Sequence, residues 1–236
     1  MSMTKPARRL LLTACFVTSL ALGVSPWLLA KDSLPEVSPE GLQLQKSKDA
    51  RAVYLKPGAT FDKYNRVAIL DCYVEFAKDW QRDYNNDVAG IQSRVSTADM
   101  DRMKAAVAAE FKKVFTNELQ TKGGYQVVDT AAPDVLVLRP AIINLMVTAP
   151  DLMTADMSRT LVASAGQMTL YLELWDSVTN TILARIMDPQ ADRGMGGMAQ
   201  VADSVTNKAA ADRILKAWAE KLRKHLDAVH GKTAGS

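Results

Sequence analysis

Histidine, cysteine and the standard catalytic motifs are scarce in this sequence of 236 residues. Its two histidines, His225 and His230, are five residues apart, so they do not share a helix face as an i, i+4 metal-binding pair would. Neither an H-E-x-x-H motif nor a G-x-S-x-G nucleophile motif occurs. We therefore expect no metal, no cofactor and no catalytic residue, and we interpret both histidines as solvated residues that complement a helix dipole.

Long hydrophobic runs are also lacking, apart from one near the N-terminus. Residues 10–24 form an apolar stretch that follows three basic residues, which is typical of a secretory signal peptide. We predict cleavage after Ala30, with Gly23 or Ser25 as alternatives, and a mature protein in the periplasm. No later stretch approaches the ~20 apolar residues of a transmembrane helix, so we expect no stable membrane segment once the signal peptide is removed.

The tetrapeptide Leu12-Thr13-Ala14-Cys15 fits the pattern after which bacterial lipoproteins are cleaved and lipidated on the cysteine. Use of Cys15 would shorten the apolar stretch to Leu10 to Ala14 and would leave an apolar mature N-terminus where a lipoprotein normally has a polar tether. We therefore favour a soluble periplasmic protein. A membrane-anchored lipoprotein is the alternative, and an uncleaved anchor is the third.

Loss of the signal peptide also removes the excess of positive charge. Lys+Arg fall from 29 to 26 while Asp+Glu stay at 26, so the mature chain is formally neutral. Binding to nucleic acid needs a basic patch or stripe, so we expect no nucleic-acid partner. Cys72 then remains alone, which excludes an intramolecular disulfide, and its apolar neighbours predict a buried strand residue rather than a reactive thiol.

The composition divides the chain into four regions. Residues 1–30 are the predicted signal peptide, and residues 31–52 combine prolines, serines and charges without periodicity, which indicates a flexible tether or wrapped arm. Residues 53–231 form a single predicted α/β domain, and residues 232–236 a disordered tail. The first predicted core strand is "VAILDCYV" (67–74).

Two long amphipathic helices are predicted in the domain. The clearer one begins at Ser96, where Asp99 three residues later completes a capping arrangement, and it ends at two glycines. Its apolar residues recur mostly at steps of three or four and form one stripe that faces the core. The other helix begins between Asp203 and Ala209 and ends at Gly231.

Several strands lie between these helices. A short strand is predicted at 125–129, and the apolar run 134–147 must bend or be an edge at Pro140, because proline has no amide donor. "QMTLYLELWD" and "TILARIMD" flank "SVTN" as an antiparallel hairpin. The element order predicts an α/β (α+β) fold, a two-layer sandwich of a mixed, mostly antiparallel sheet with two long helices on one face.

Four stretches resemble, in order, a bacterial domain-of-unknown-function family, number 3313. They are "YLKPGATFDKYNRVAIL" (54–70), "APDVLVLRPAI" (132–142), "LELWDSVTNTILA" (172–184) and "ADRILKAWAEKLRKHLD" (211–227). The resemblance spans about residues 50–230. It implies a cell-envelope location, often as a lipoprotein, and a mixed α/β domain, but it implies no activity, ligand or catalytic residue.

The segment 73–95 is the most distinctive candidate for binding. It places Phe76, Trp80 and Tyr84 four residues apart and adds Arg82, and aromatic and arginine residues are the types that anchor interfaces. The rings either cover one side of the sheet, which we favour, or form an exposed recognition loop for a protein or glycan.

A methionine-rich surface is the second candidate for binding. Met195 and Met198 lie in "DRGMGGM" (192–198), which lacks the spacing of a phosphate-binding glycine loop and is better interpreted as a flexible loop. Methionine is adaptable and suits a variable partner surface. Three methionines of the earlier connection could join it: Met146, Met153 and Met157.

Carboxylates offer the one route to catalysis. Asp71 and Glu75 are four apart on one predicted strand, and Glu173 and Asp176 frame the hairpin, so a pair could form an acid/base site. Solvation of the sheet edge and turn formation by Asp176 explain these residues more simply.

Three functions remain, in decreasing order of preference. The first is an exported, non-catalytic envelope domain that binds another envelope component, in our view a protein. The second is a carrier of a small apolar ligand, and the third is a carboxylate-based hydrolase. A filled core with an exposed aromatic patch would favour the first, a deep apolar cavity the second, and converging carboxylates the third.

Overall fold

A computed structural model describes residues 34–88, 90, 94–148, 160–162, 166–192, 200–202 and 204–232. The predicted signal peptide with Cys15, the methionines Met153, Met157, Met195 and Met198, and the end of the predicted tail lie outside these residues. The elements in chain order are β1 (Gln43–Gln45), β2 (Ala52–Leu55), β3 (Arg66–Ile69), β4 (Tyr73–Phe76), α1 (Trp80–Asp87), α2 (Thr97–Thr116) with a π-helical continuation (Asn117–Lys122), β5 (Gln126–Val127), β6 (Val135–Val147), β7 (Thr160–Val162), β8 (Gly166–Asp176), β9 (Thr181–Asp192), β10 (Gln200–Ala202) and α3 (Ser204–Val229).

The described strands form one large mixed sheet and a separate pair, β7 with β10. The large sheet has the order β1-β2-β9-β8-β6-β3-β5, and β4 pairs with β6 beside β3. In this order, each pair of neighbouring strands from β1 to β6 is antiparallel. β3 and β4 each pair in parallel with β6, and β5 pairs in parallel with β3. Helices α2 and α3 pack against each other and against this sheet in one core. The predicted α+β class is confirmed.

The predicted strand 67–74 is divided into two. β3 pairs with the first part of β6 and β4 with the second part, so the short strands follow one another along a single long neighbour. Pro140 lies opposite the gap between them. Because no strand residue of β3 or β4 faces it, its missing amide donor does not interrupt the pairing of either strand. β6 therefore continues through Pro140 as a central strand, and the predicted bend or edge is replaced by a local gap in its neighbour.

Both long helices occur where the sequence predicts them. Ser96 caps α2, because its side chain accepts from the Asp99 amide while the Asp99 carboxylate accepts from the Ser96 amide. This reciprocal capping box satisfies two donors that the first helical turn would otherwise leave free. α3 begins at Ser204, inside the predicted interval, and Gly231 follows it with a positive φ of 64°.

The β8–β9 hairpin is confirmed, and Asp176 organises its turn. One carboxylate oxygen accepts from the Val178 and Thr179 amides at 3.0 and 2.8 Å. The other accepts from Lys63 Nζ at 2.8 Å and from the buried Tyr64 hydroxyl at 2.7 Å. The turn is thereby tied to the segment that precedes β3.

Residues 34–45, the N-terminal arm, pack against the sheet. Leu42 is fully buried in a small cluster with Ala52, Tyr54 and Ile182. The folded body therefore extends N-terminal of Val53, where the sequence pattern placed its start. The apolar residues of this arm are too widely spaced to show a period in the sequence, but they pack against the sheet.

An ion-pair triad fastens this arm. The Arg185 guanidinium donates to Glu40 at 2.8 and 2.9 Å and to Glu173 at 2.8 and 3.1 Å. Glu173 is buried and also accepts from the Trp175 indole at 3.1 Å. Arg185 thus neutralises the buried Glu173 carboxylate. It also holds the arm through its hydrogen bonds to Glu40.

The arm should be held less firmly in acid. The hydrogen bond from Arg185, with a second from Ser38, lowers the pKa of Glu40 to about 2. A carboxylate whose pKa falls on folding stabilises the folded state above its unfolded pKa, and that contribution is lost as the pH drops toward the folded value. Amide hydrogen exchange at residues 43–45, corrected for the intrinsic exchange rate at each pH, should therefore be faster near pH 2 than at pH 4. Equal corrected rates at both pH values, with the circular dichroism spectrum unchanged, would contradict this.

Candidate functional site

An apolar cavity of about 270 Å³ lies between α3 and the sheet. Strands β2, β8 and β9 form its floor, α3 forms its roof, and residues 46–51, the cavity loop, border one side. The lining residues are Ser47, Asp49, Ala50, Val53, Leu55, Phe61, Leu170, Leu172, Leu174, Ala184, Ile186, Asp188, Trp218, Lys221, Leu222, His225, Leu226 and Val229.

The local sequence explains why these side chains converge. Alternate residues of a strand point to the same face, so three leucines of β8 and the Ala184 and Ile186 side chains of β9 line one floor. Ala184 pairs with Leu174 on one side and Leu55 on the other. Its methyl group is the smallest side chain of this floor and is 1% exposed.

A satisfied polar cluster forms part of the cavity wall. Asp188 is only 5% exposed, and it accepts from Trp218 Nε1 at 2.9 Å, Gln190 Nε2 at 2.9 Å and Lys221 Nζ at 3.3 Å. The hydrogen bonds of these polar groups are therefore satisfied within the protein. The rest of the wall is apolar and suits an apolar molecule.

The mouth of the cavity lies between the cavity loop and α3. Lys221 Nζ donates to the Asp49 carbonyl oxygen at 2.5 Å, and His225 Nε2 lies 3.5 Å from the Asp49 carboxylate. The Asp49 and His225 side chains are both more than half exposed. These two contacts form a polar bridge across an otherwise apolar opening.

The size and lining of this cavity suit a small apolar molecule. An apolar cavity of about 150 Å³ stays dry and can bind benzene, and pockets for drug-sized ligands begin near 300 Å³. The present volume lies between these values. Each methylene group transferred from water contributes about 0.8 kcal/mol, so even a short alkyl chain would gain several kcal/mol here.

Two aromatic residues of the predicted binding segment, Phe76 and Trp80, lie in the core. Phe76 and Trp80 are 4% and 7% exposed, and their rings stack at 4.5 Å, followed by Tyr84 at 5.5 Å from Trp80. Phe76 and Trp80 thus have little surface to offer a partner. Arg82 is exposed and pairs with Asp79 and Asp83 on its own helix.

The methionine surface can be placed only in part. Met146 is 39% exposed near the end of β6, and its sulfur accepts a hydrogen bond from the Gln167 side chain. The other four methionines of that candidate lie outside the described residues. Binding through Arg82, Tyr84 or this surface stays a prediction.

The candidate catalytic carboxylates occupy separate settings. Asp71 lies in the gap between β3 and β4, not on one strand with Glu75, and its side chain is 99% exposed. Glu75 is 3.7 Å from Lys104, and Glu173 is held by Arg185 in the triad described above. No contact among the described residues joins any two of them.

The two histidines differ in setting. His225 lies at the cavity mouth, and its Nδ1 is 2.8 Å from the Lys221 carbonyl oxygen. His230 is half-buried against the Tyr125 ring, with centroids 5.6 Å apart, and is not fully solvated as predicted. In the part of the chain that the structure describes, no three His, Cys, Asp or Glu side chains gather as a metal site would require.

Cys72 should be unreactive in the folded protein. It lies in the gap between β3 and β4 and is half-buried, not buried within a strand as predicted. Its partial burial raises the pKa of the thiol to about 12, so little of the nucleophilic thiolate is present at pH 8. We expect alkylation by iodoacetamide at least about a hundredfold slower than in protein unfolded with guanidinium, which serves as the control. A rate within tenfold of the unfolded protein would contradict this.

The described part of the chain is an α+β domain with a mixed sheet, helices packed on one face and an apolar cavity beneath the last helix. The chain belongs to the family described as protein of unknown function (DUF3313), which matches residues 36–222. The resemblance noted from the sequence is thereby confirmed. No curated protein matches the chain at significant similarity.

Solved structures show distant likenesses. PelC from Paraburkholderia phytofirmans, solved as a dodecamer, is 11% identical over 70% of this chain and 96% of its own, with a TM-score of 0.34. Protein XCC0632 from Xanthomonas campestris is 12% identical over 75% of this chain and 91% of its own, with a TM-score of 0.36. These likenesses are too distant to assign a function or an assembly to this chain. Among the described residues, no helix has the length and apolar character needed to cross a membrane.

Proposed function

We propose that this protein is an exported envelope protein that binds a small apolar ligand, or the apolar part of a larger molecule, in the cavity under α3. The observation that carries the proposal is the cavity itself, whose walls are almost entirely aliphatic and aromatic. A folded protein normally fills such a space with its own side chains, because empty apolar volume costs stability. A retained opening that reaches solvent is the usual form of a ligand site.

The structure favours this reading over the protein-binding one that the sequence ranked first. An aromatic recognition patch would have to expose Phe76 and Trp80, and both are buried. The cavity, in contrast, opens to solvent beside the Asp49 bridge.

Titration calorimetry with decanol, a neutral single-chain probe, tests the proposal. We expect one saturable site per chain and a rise in melting temperature that grows with the decanol concentration, because a ligand that binds only the folded state stabilises it. Absence of saturable binding together with an unchanged melting temperature would rule out an apolar-ligand site.

A protein partner is the second candidate, and a different surface favours it. Leu70 and Tyr73 flank the gap between β3 and β4 and are 45% and 59% exposed. A photo-crosslinking residue at position 73 should capture a discrete envelope protein if this surface is an interface. The matched control is Val178, which is equally exposed but lies in the β8–β9 turn. The same products from both positions would count against an interface at Tyr73.

A further inference from the structure

We propose that the ligand of the α3 cavity is a single-chain anionic amphiphile, with its alkyl chain inside and its carboxylate or phosphate at the cavity loop. This proposal rests on the proposed function and adds the chemical class of the ligand. It is carried by two independent observations, the apolar walls of the cavity and the charges around its mouth.

The cavity loop is strongly basic. Its sequence, residues 46–51, is Lys-Ser-Lys-Asp-Ala-Arg, and Ser47, Asp49 and Ala50 line the cavity while the three basic residues adjoin them. Lys46, Lys48 and Arg51 are exposed, and within the described residues none of them forms an ion pair. Three cations that have no ion-pair partner among the described residues therefore lie in the same loop as three residues that line the opening.

The opposite side of the mouth adds further donors. Lys221 and His225 both line the cavity from α3, and Lys221 remains 38% exposed although it contacts Asp188 and the Asp49 carbonyl oxygen. Two carboxylates line the cavity, that of Asp49, which lies 3.5 Å from His225, and that of the buried Asp188, which pairs with Lys221. With the three loop cations and Lys221 counted against these two, this side of the molecule carries more positive than negative charge, in a chain whose predicted mature form is neutral.

The Asp49 carboxylate marks where an anionic head group would lie. It reaches the imidazole of His225 from the loop side, and its backbone carbonyl oxygen accepts from Lys221. A ligand carboxylate at the mouth would lie near the Lys221 ammonium and near the loop that carries the three cations. A cationic head group would meet like charges there, and a neutral one would gain nothing from them.

The volume restricts the ligand to one chain. At about 270 Å³ the cavity is smaller than the usual range for drug-sized ligands, so it suits a single alkyl chain and not the two chains of a membrane phospholipid. We therefore place the anionic molecule in the cavity as a monomer, and we do not invoke the surface of a bilayer.

Three probes of equal chain length separate the contribution of the head-group charge to the affinity from that of the alkyl chain. Calorimetric titration of the full-length protein with decanoate, decanol and decyltrimethylammonium, all below their micellar concentrations, should give the tightest binding for decanoate. We expect decanoate to bind about tenfold more tightly than decanol at low salt, since several exposed charge pairs each add a small attraction. High salt should remove most of that advantage.

Two variants with opposite expected effects complete the test. Lys46→Gln combined with Lys48→Gln and Arg51→Gln should weaken decanoate about tenfold and leave decanol unchanged. Asp49→Asn, which removes an exposed like charge at the mouth, should tighten decanoate about threefold relative to decanol measured with the same variant. All four side chains are exposed, so neither variant should disturb folding.

The outcomes distinguish the ligand class from the site. Equal affinity for all three probes would overturn the anionic class while leaving apolar binding in place. No binding of any probe would overturn both. Binding of the protein to anionic phospholipid vesicles, without saturable uptake of decanoate, would show that the loop recognises a membrane surface and would also overturn the proposal.

Discussion

Ala184→Phe is expected to abolish uptake of decanol by the protein, with binding at least about a hundredfold weaker. Ala184 is 1% exposed and lies on the cavity floor between Leu174 and Leu55. A phenyl ring at this position would project into the space that the ligand needs. Four methylene groups kept out of the cavity correspond to about 3 kcal/mol, which is a hundredfold in affinity.

The stability of the same variant discriminates between a cavity and a packed core. If the space is empty, the added ring gains apolar contacts, and the free energy of unfolding should change by less than about 1 kcal/mol. If the space were already filled, overpacking would cost about 1–3 kcal/mol. Ala217→Phe, on the exposed side of α3, is the matched control and should leave decanol binding unchanged. Undiminished binding by Ala184→Phe would place the ligand elsewhere.

Asp176→Ala should lower the free energy of unfolding by about 3–4 kcal/mol. The substitution removes the acceptor of the buried Tyr64 hydroxyl and of Lys63 Nζ, and it frees the two turn amides that the carboxylate binds. A buried donor left without a partner retains its full desolvation cost. Urea denaturation measures the effect, and Asp62→Ala, at an exposed neighbour of Lys63, should change stability by less than about 0.5 kcal/mol.

The Asp176 variant should also alter the response to acid. The hydrogen bond from Lys63, followed by that from the Thr179 amide, holds the pKa of Asp176 well below its usual range. Because folding lowers this pKa, the stabilisation is present above the unfolded value and declines as the pH falls below about 4. Wild-type protein should therefore lose more stability than Asp176→Ala between pH 5 and pH 2. Equal losses would show that the carboxylate does not carry this dependence.

Much of the fold could be predicted because its signals are local. The capping box of Ser96 and Asp99 and the hairpin closed by Asp176 involve residues a few positions apart, so the sequence displays them directly. The division of residues 67–74 into β3 and β4 could not be seen in this way. It depends on a distant strand, β6, whose Pro140 lies opposite the gap.

The candidate site was largely hidden for the same reason. Its walls come from β2, β8, β9 and α3, and the decisive residue, Ala184, is a small side chain that no motif distinguishes. The sequence did suggest an apolar ligand between sheet and helices as its second hypothesis. The sequence could not show which residues line the cavity. The volume of a cavity depends on the distance between helix and sheet, which a sequence pattern does not reveal.

The pairing of β2 with β9 has a consequence for the order in which the chain can fold. Val53 lies opposite Ile186, so the strand next to the arm finds its main partner only after more than about a hundred further residues have been made. β3 and β4 likewise depend on β6, which follows them and α2 in the chain. Contacts this distant in sequence slow folding, because the loop between partners must be closed first. An N-terminal fragment that ends before β6 should therefore expose unpaired strands, and the emerging chain must remain open until its last third is available.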